Sequence, residues 1–386
     1  MNLCPIFLSA MRIALTIVSP EQNNSEGYPN YVKEISTRIV NAHPEDEFLF
    51  VLNQPYADTF VFASNITPIV VLRDSFNLFT IKYWYDFQVP HALRNIKVDL
   101  WIQLNGFCSL TTKIPQILLV QSSPFLQDQQ AMVWYNRWYH QFLSKKFIKK
   151  ANSLIALTET AKKDLIVHHQ LKAIQINVIN AAADAAYQPL EWQDKEQVKD
   201  GFTDGREYFL FKSDDQSEEN VLNMFKAFSY FKKWQQSNMK LLVLLRPSSE
   251  YPKVETKIKT YKYREDVILL NHLSTEQLVR ITSTAYAIII PSSYFSSGQS
   301  LLNAMKSEVP IIVDKLPVNQ EIGGAAVLSV NFSDPEEMAK GMLTLYKDET
   351  KRNSLIKSGL EQVATYNWDK AADQFWQIIL NTPQKV

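Results

Sequence analysis

Short, uniformly apolar runs alternate with longer segments of helical period along most of the chain. Arg12–Val18, Phe48–Leu52, Leu100–Leu104, Ile117–Val120 and Leu154–Leu157 read as strands, with Asn30–Asn41 and Trp134–Lys150 as helices between them. Strands that show no polar alternation are buried on both faces, so the pattern predicts a parallel sheet with helices on each side. The alternation pauses at residues 191–206, a polar stretch holding Gly201 and Gly205, which reads as an interdomain junction. It restarts with Tyr208–Phe211, Lys240–Leu245, Val267–Leu270, Ala285–Ile290 and Pro310–Val313 as strands. Ser217–Gln235, Ser274–Thr282 and Gln299–Lys306 read as helices. The tail, Pro335–Leu380, reads as consecutive helices opened by Asp334–Pro335, a capping residue followed by proline.

The expected architecture is therefore α/β, with two Rossmann-like domains built on parallel sheets and followed by C-terminal helices. Residues 1–10 form an extension, 11–190 the first domain, 191–206 the linker and 207–368 the second domain. Residues 369–386 form a closing helix that can cross back to the first domain. Folds of this type bind ligands at the carboxyl ends of their strands.

A length of 386 residues suits two domains. Forty Lys plus Arg balance forty Asp plus Glu, so nucleic acid is not an expected partner. Two cysteines, Cys4 and Cys108, give neither a disulfide framework nor a metal-ligand spacing, and a reducing cytoplasm is the expected compartment. The apolar run Leu3–Ala10 lacks a preceding basic residue and reads as an extension ahead of Met11, not as a signal peptide. The chain has no uncharged apolar run of about 20 residues, so no transmembrane helix is expected. Trp134–Lys150 mixes aromatics with Lys145, Lys146, Lys149 and Lys150. It reads either as a packed helix with a solvated basic face or as a peripheral contact with the inner, anionic face of a membrane. His168 and His169 fall near the end of a surface helix, without a metal partner four residues on.

Several fragments carry a family resemblance: Met11-Arg-Ile-Ala-Leu15, Tyr187-Gln-Pro189, Glu207-Tyr-Phe-Leu-Phe211 and Pro291-Ser-Ser-Tyr294. Ala304-Met305 ahead of Val309-Pro-Ile-Ile312, Asp334-Pro-Glu-Glu337 and Tyr366-Asn-Trp-Asp369 complete the set. In order and spacing, from Met11 to about Leu380, the chain resembles the retaining family-4 glycosyltransferases, whose two facing Rossmann-like domains form the GT-B arrangement. The resemblance implies transfer of a hexose from a nucleotide-sugar donor, bound mainly by the C-terminal domain, to a glycan or lipid-linked acceptor. It implies retention at the anomeric carbon, and neither a metal nor any other cofactor. The leaving nucleoside diphosphate would be met by cations and helix N-termini.

The family's donor-site positions are mostly altered in this chain. Gly27 survives in the loop after the first strand, but Pro29 stands where a second glycine is usual; an ordinary strand-to-helix turn is the alternative reading. Gln121 replaces a histidine; it can hydrogen-bond but cannot be protonated near neutral pH. Lys212 and Ser213 precede a helix start where Glu218 and Glu219 replace the family's Arg and Lys. Those carboxylates suit the helix dipole, with Ser217 as N-cap, and they repel a diphosphate; Lys212 is a substitute cation. Phe295 and Asn303 replace the two signature glutamates, with Ser297, Gly298, Gln299 and Ser300 between them at a helix start. The serines there either cap the helix or donate to an oxyanion. Asp184 reads as a turn or cap residue. Three functions stay open: sugar transfer through an altered donor site, a non-catalytic partner that docks an active glycosyltransferase or holds a glycan, and a two-lobed small-molecule binding module.

Overall fold

The computed structural model describes residues 10–17, 28–56, 60–73, 78–120, 134–171, 176–213, 218–245, 251–271, 273–291 and 297–383. They divide into two units: residues 10–17, residues 28–180 and the segment from Trp368 onward form one, and Ala181–Asn367 the other.

The first unit holds seven parallel strands in the order β3-β2-β1-β4-β5-β6-β7. They are β1 Arg12–Ile17, β2 Glu47–Leu52, β3 Ile66–Val70, β4 Leu100–Gln103, β5 Gln116–Val120, β6 Ser153–Ala156 and β7 Ile176–Val178. The central strands are mostly apolar because helices cover both faces; the buried Gln103 and Gln116 bond to each other across β4 and β5 at 2.6 Å. On one face Ala14, Leu49, Val51 and Trp101 pack against Ile81, Trp84, Tyr85 and Val89. These come from α2 (Leu78–Tyr83), a π-turn (Trp84–Gln88) and α3 (Val89–Ala92), which run on as one helix. Leu118, Val120, Leu154 and Ala156 meet Leu143, Phe147 and Leu165 from α4 (Trp134–Lys150) and α5 (Glu159–His169). The opposite face carries α1, Tyr28–Ala42, whose first turn holds Pro29. Proline costs no helical hydrogen bond there.

The second unit holds six parallel strands in the order β10-β9-β8-β11-β12-β13. They are β8 Tyr208–Ser213, β9 Lys240–Leu245, β10 Val267–Leu270, β11 Ala287–Ile290, β12 Ile311–Asp314 and β13 Val327–Val330. Its helices are α6 Trp192–Thr203, α7 Glu218–Gln235, α8 Tyr251–Lys259, α9 Thr275–Thr284, α10 Gln299–Lys306, α11 Pro317–Gly323, α12 Pro335–Lys347 and α13 Glu349–Val363. Phe209, Phe211 and Val243 meet Phe228 and Phe231 of α7 and Met338 and Met342 of α12 on one face. Tyr208, Leu210 and Ile288 meet Ile281 of α9 and Leu301 and Met305 of α10 on the other. The Asp334 side chain accepts the Glu336 and Glu337 amides ahead of α12, and Ser274 forms a capping box with Gln277 at α9.

Two boundaries differ from the sequence reading. The polar stretch 191–206 is no open linker: α6 fills it, ending at Asp204, whose left-handed φ of 52° closes the helix. The chain passes between units ahead of it, at Asn180–Ala181, and returns at Asn367–Trp368. The last helix, α14 (Trp368–Asn381), belongs to the first unit. There Trp368 meets Tyr31 edge-on, Trp376 stacks on His43 at 3.5 Å, and Asp369 accepts from Arg38 at 2.7 Å.

One ionic cluster fastens the amino-terminal edge of the second sheet. Asp266 takes Lys232 at 2.8 Å and Lys240 at 3.2 Å, with Arg206 at 3.9 Å. Burial opposes the Asp266 charge, but the hydrogen bonds and charges of Lys232 and Lys240 outweigh it and hold the carboxyl below its ordinary value. With a depressed folded pKa, the unfolded chain takes up the proton first. The stabilisation is thus present above the unfolded carboxyl value, about 4, and is lost as pH falls through the folded one. Urea unfolding between about pH 5 and pH 3 is expected to show wild type losing stability faster than Asp266→Asn.

Candidate functional site

The strand order of the second unit reverses between β8 and β11, the place where doubly wound sheets bind ligands. β8 ends at Lys212 and Ser213, and the chain leaving β11 leads into α10. Lys212 is only 5% exposed, and its ammonium donates to Ser300 Oγ at 2.8 Å. Ser300 is the second residue of α10, so a cation stands at the N-terminal turn of a helix whose dipole already favours anions.

Gly298 occupies the cap of α10 with φ 72°. A Cβ there would lie 2.1 Å from Ile322 Cδ1, so the glycine serves both the left-handed backbone and the close approach of α11. Capping therefore falls to Gly298 and not to a serine; Ser300 lies inside the first turn as an acceptor for Lys212.

Asn303 is fully buried. Its Oδ1 accepts the Asp184 amide at 2.8 Å, while Gln299 Nε2 donates to Ala182 O at 3.4 Å and Lys306 Nζ to Asp184 O at 2.9 Å. Residues 182–184 are thus tied to α10 along its length. The Asp184 carboxylate accepts the Ala186 amide at 2.9 Å, a turn contact. Ser297, next to the Gly298 cap in sequence, is buried.

Glu218 and Glu219 lie in the first turn of α7, as expected. Glu218 is not a bare repulsive charge: Lys257 of α8 reaches it at 2.5 Å. The pair is partly exposed, so its stabilisation is small, on the order of 1 kcal/mol or less, but it cancels one of the two negative charges. Glu219 is exposed. Gly27, Gln121, Phe295 and the expected cap Ser217 lie outside the described residues, and of Ser213 only the backbone is described.

The structure thus gathers Lys212, Ser297, Gly298, Gln299, Ser300 and Asn303 around one helix start. Sequence reasoning missed Lys257 and Lys306. Neither sits in a motif, and nothing local marks a lysine that pairs 39 or 122 residues away. His169 is buried, not on a surface; burial, then Lys145, His168 and Lys149, pushes its imidazole down to about 4. Among the described residues, one group of possible metal ligands comes together, His43, Glu45 and Asp46. Their contacts are structural: Asp46 accepts the Met11 amide at 2.7 Å and His43 stacks on Trp376. No helix among the described residues is long and apolar enough to cross a membrane.

Residues 193–362 match the family model described as Glycosyl transferases group 1, a span that lies within the second unit and contains this site. The chain is 23% identical over 231 residues to the O-antigen chain mannosyltransferase RfbU of Salmonella typhimurium; the match spans 60% of this chain and 60% of that protein's length. Among solved structures it superposes on WaaG, a glycosyltransferase involved in lipopolysaccharide biosynthesis, with a TM-score of 0.74 at 13% identity, covering 96% of this chain and 100% of that one. Anabaena HepE in complex with UDP and glucose gives 0.72 at 12% identity, covering 96% and 100%. The fold is thus the two-domain α/β arrangement of GT-B glycosyltransferases.

Proposed function

We propose that this chain is a group 1 glycosyltransferase of the retaining, family-4 type that transfers a hexose from a nucleotide-sugar donor to a glycan or lipid-linked acceptor. The setting would be cytoplasmic assembly of an O-antigen-like or related polysaccharide. One observation carries the reading: a buried lysine, Lys212, sits at the switch point of the second sheet, hydrogen-bonded into the first turn of α10. A lysine held out of water beside a helix N-terminus is suited to a diphosphate, whose leaving charge it would stabilise. The relatives support the substrate class, since RfbU is a mannosyltransferase and HepE was seen with UDP and glucose. In this reading Lys212 takes over the role of the Arg–Lys pair that Glu218 and Glu219 displace. Ser300 orients the ammonium, and the α10 amides face the phosphate. Asn303, committed to the Asp184 backbone, holds the shape of the site.

The same residues favour a second reading, a non-catalytic partner that keeps the fold and binds a glycan or an active glycosyltransferase. The acidic turn of α7 and the amide in place of a charged ribose acceptor at Asn303 are its support. Calorimetry with UDP-glucose and GDP-mannose, with and without EDTA, separates the two readings. Conventional transfer predicts saturable heat in the micromolar to millimolar range typical of nucleotide-sugar substrates, unchanged by EDTA, and a product of retained anomeric configuration. No heat from either donor at millimolar concentration favours the partner.

A further inference from the structure

α10 has an open side and a closed one. Ser300, which takes the bond from Lys212, is partly exposed. Gln299, Asn303 and Lys306 follow one another at steps of four and three residues, which places them together on another side of the helix. All three reach the same short piece of chain. Gln299 Nε2 donates to Ala182 O at 3.4 Å, Asn303 Oδ1 accepts the Asp184 amide at 2.8 Å, and Lys306 Nζ donates to Asp184 O at 2.9 Å.

That piece of chain is itself fixed. Ala181, Ala182 and Tyr187 are buried. Ala183 packs against the core that contains Leu301 and Met305 of α10, and the Tyr187 amide donates to Asp184 O at 3.2 Å. Beneath this cover Gln299 is 1% exposed and Asn303 0%. A ligand could touch either side-chain amide only by lifting residues 182–184. The Asp184 amide would then lose its acceptor, and a polar group left unpaired costs more than one new hydrogen bond returns.

We propose that the donor site holds its nucleotide by the diphosphate and does not read the ribose, so that nucleotides lacking the 2′- or the 3′-hydroxyl bind as tightly as their parents. The inference rests on the donor reading proposed for Lys212. A site built to bond a hydroxyl rejects the analogue without it, because the site's own polar groups are then stranded. On the closed side of α10 those groups are paired within the chain, whatever the sugar carries. Lys212 and the amides of the α10 start remain to meet the diphosphate, which is the same in ribose and deoxyribose nucleotides. Asn303 is therefore a positioning residue: it ties the segment ahead of α6 to the helix that faces the phosphate.

Calorimetry on the full chain tests this by comparing UDP with 2′-deoxy-UDP and 3′-deoxy-UDP, and GDP with its two deoxy forms. For whichever nucleotide binds, both deoxy forms are expected within about threefold of the parent, where a hydroxyl-reading site would reject them far more strongly. Asn303→Asp keeps an oxygen for the Asp184 amide, and Gln299→Ala leaves that bond alone. Both should keep the ratio of parent to deoxy affinity, even where they lower the melting temperature. The wild-type comparison needs no variant, so a substitution that fails to fold leaves the test intact. Discrimination beyond about threefold against either deoxy form in wild type, or a ratio that rises in Asn303→Asp, overturns the proposal while leaving the donor reading standing. If neither UDP nor GDP binds, the donor reading falls and takes this inference with it.

Discussion

Replacing Lys212 with methionine is expected to lower kcat/KM for nucleotide-sugar turnover about 100-fold while leaving the protein at least as stable. The two halves of the result rest on different physics. One ammonium about 5 Å from a diphosphate charge contributes roughly 3 kcal/mol at an effective dielectric near 20, which is a factor of about 100. The stem of Lys212 is already buried, and methionine fills nearly the same volume without a charge to keep out of water. Thermal melts on the same samples therefore distinguish loss of binding from loss of fold. Arginine is not an equivalent replacement, since its planar fork differs in shape and hydration from the compact ammonium that bonds Ser300 Oγ. Unchanged turnover in Lys212→Met would place the diphosphate elsewhere and remove the observation on which the functional reading stands.

Gly298→Ala should destabilise the second unit by about 2–4 kcal/mol. An overpacked contact costs about 1–3 kcal/mol, and a left-handed φ adds roughly 1 kcal/mol for any residue with a Cβ. Here the new methyl would meet Ile322 Cδ1 at 2.1 Å with φ at 72°. Urea unfolding measures the loss, and pairing the substitution with Ile322→Ala separates the two causes. Each single change should be costly. The double variant should recover the steric part, so that its loss falls short of the sum, and retain the backbone part. A strictly additive double variant would mean that α11 moves aside and that the close approach is not what selects glycine.

Most of the architecture could be read along the chain, and what could not be read shares a cause. Strands buried on both faces announce themselves as apolar runs, which is why β1, β2, β4, β5, β6, β8, β9, β11 and β12 were visible. The strands that escaped, β3, β7 and β13, lie at sheet edges; β10, at the other edge of the second sheet, was legible because Val267–Leu270 is apolar throughout. β3 is half-exposed and carries Pro68, and β7 has three residues; an edge needs neither a continuous apolar run nor a full set of amide donors. Helix α6 escaped because its surface is polar, and a polar stretch with glycines looks like a linker until its packing is known.

At the site the division is sharper. The residue types determined by themselves that carboxylates open α7, that an amide stands at position 303, and that Lys212 lies on the strand side of the turn ahead of α7. Only the tertiary structure decided what those groups do, because their partners lie far off in sequence. Lys257 meets Glu218 across 39 residues, Ser300 meets Lys212 across 88, and the Asp184 amide meets Asn303 across 119. Periodicity and capping are local, set by the geometry of one turn or one pleat. Which charge faces which is set by how whole elements pack, and no window along the chain contains that.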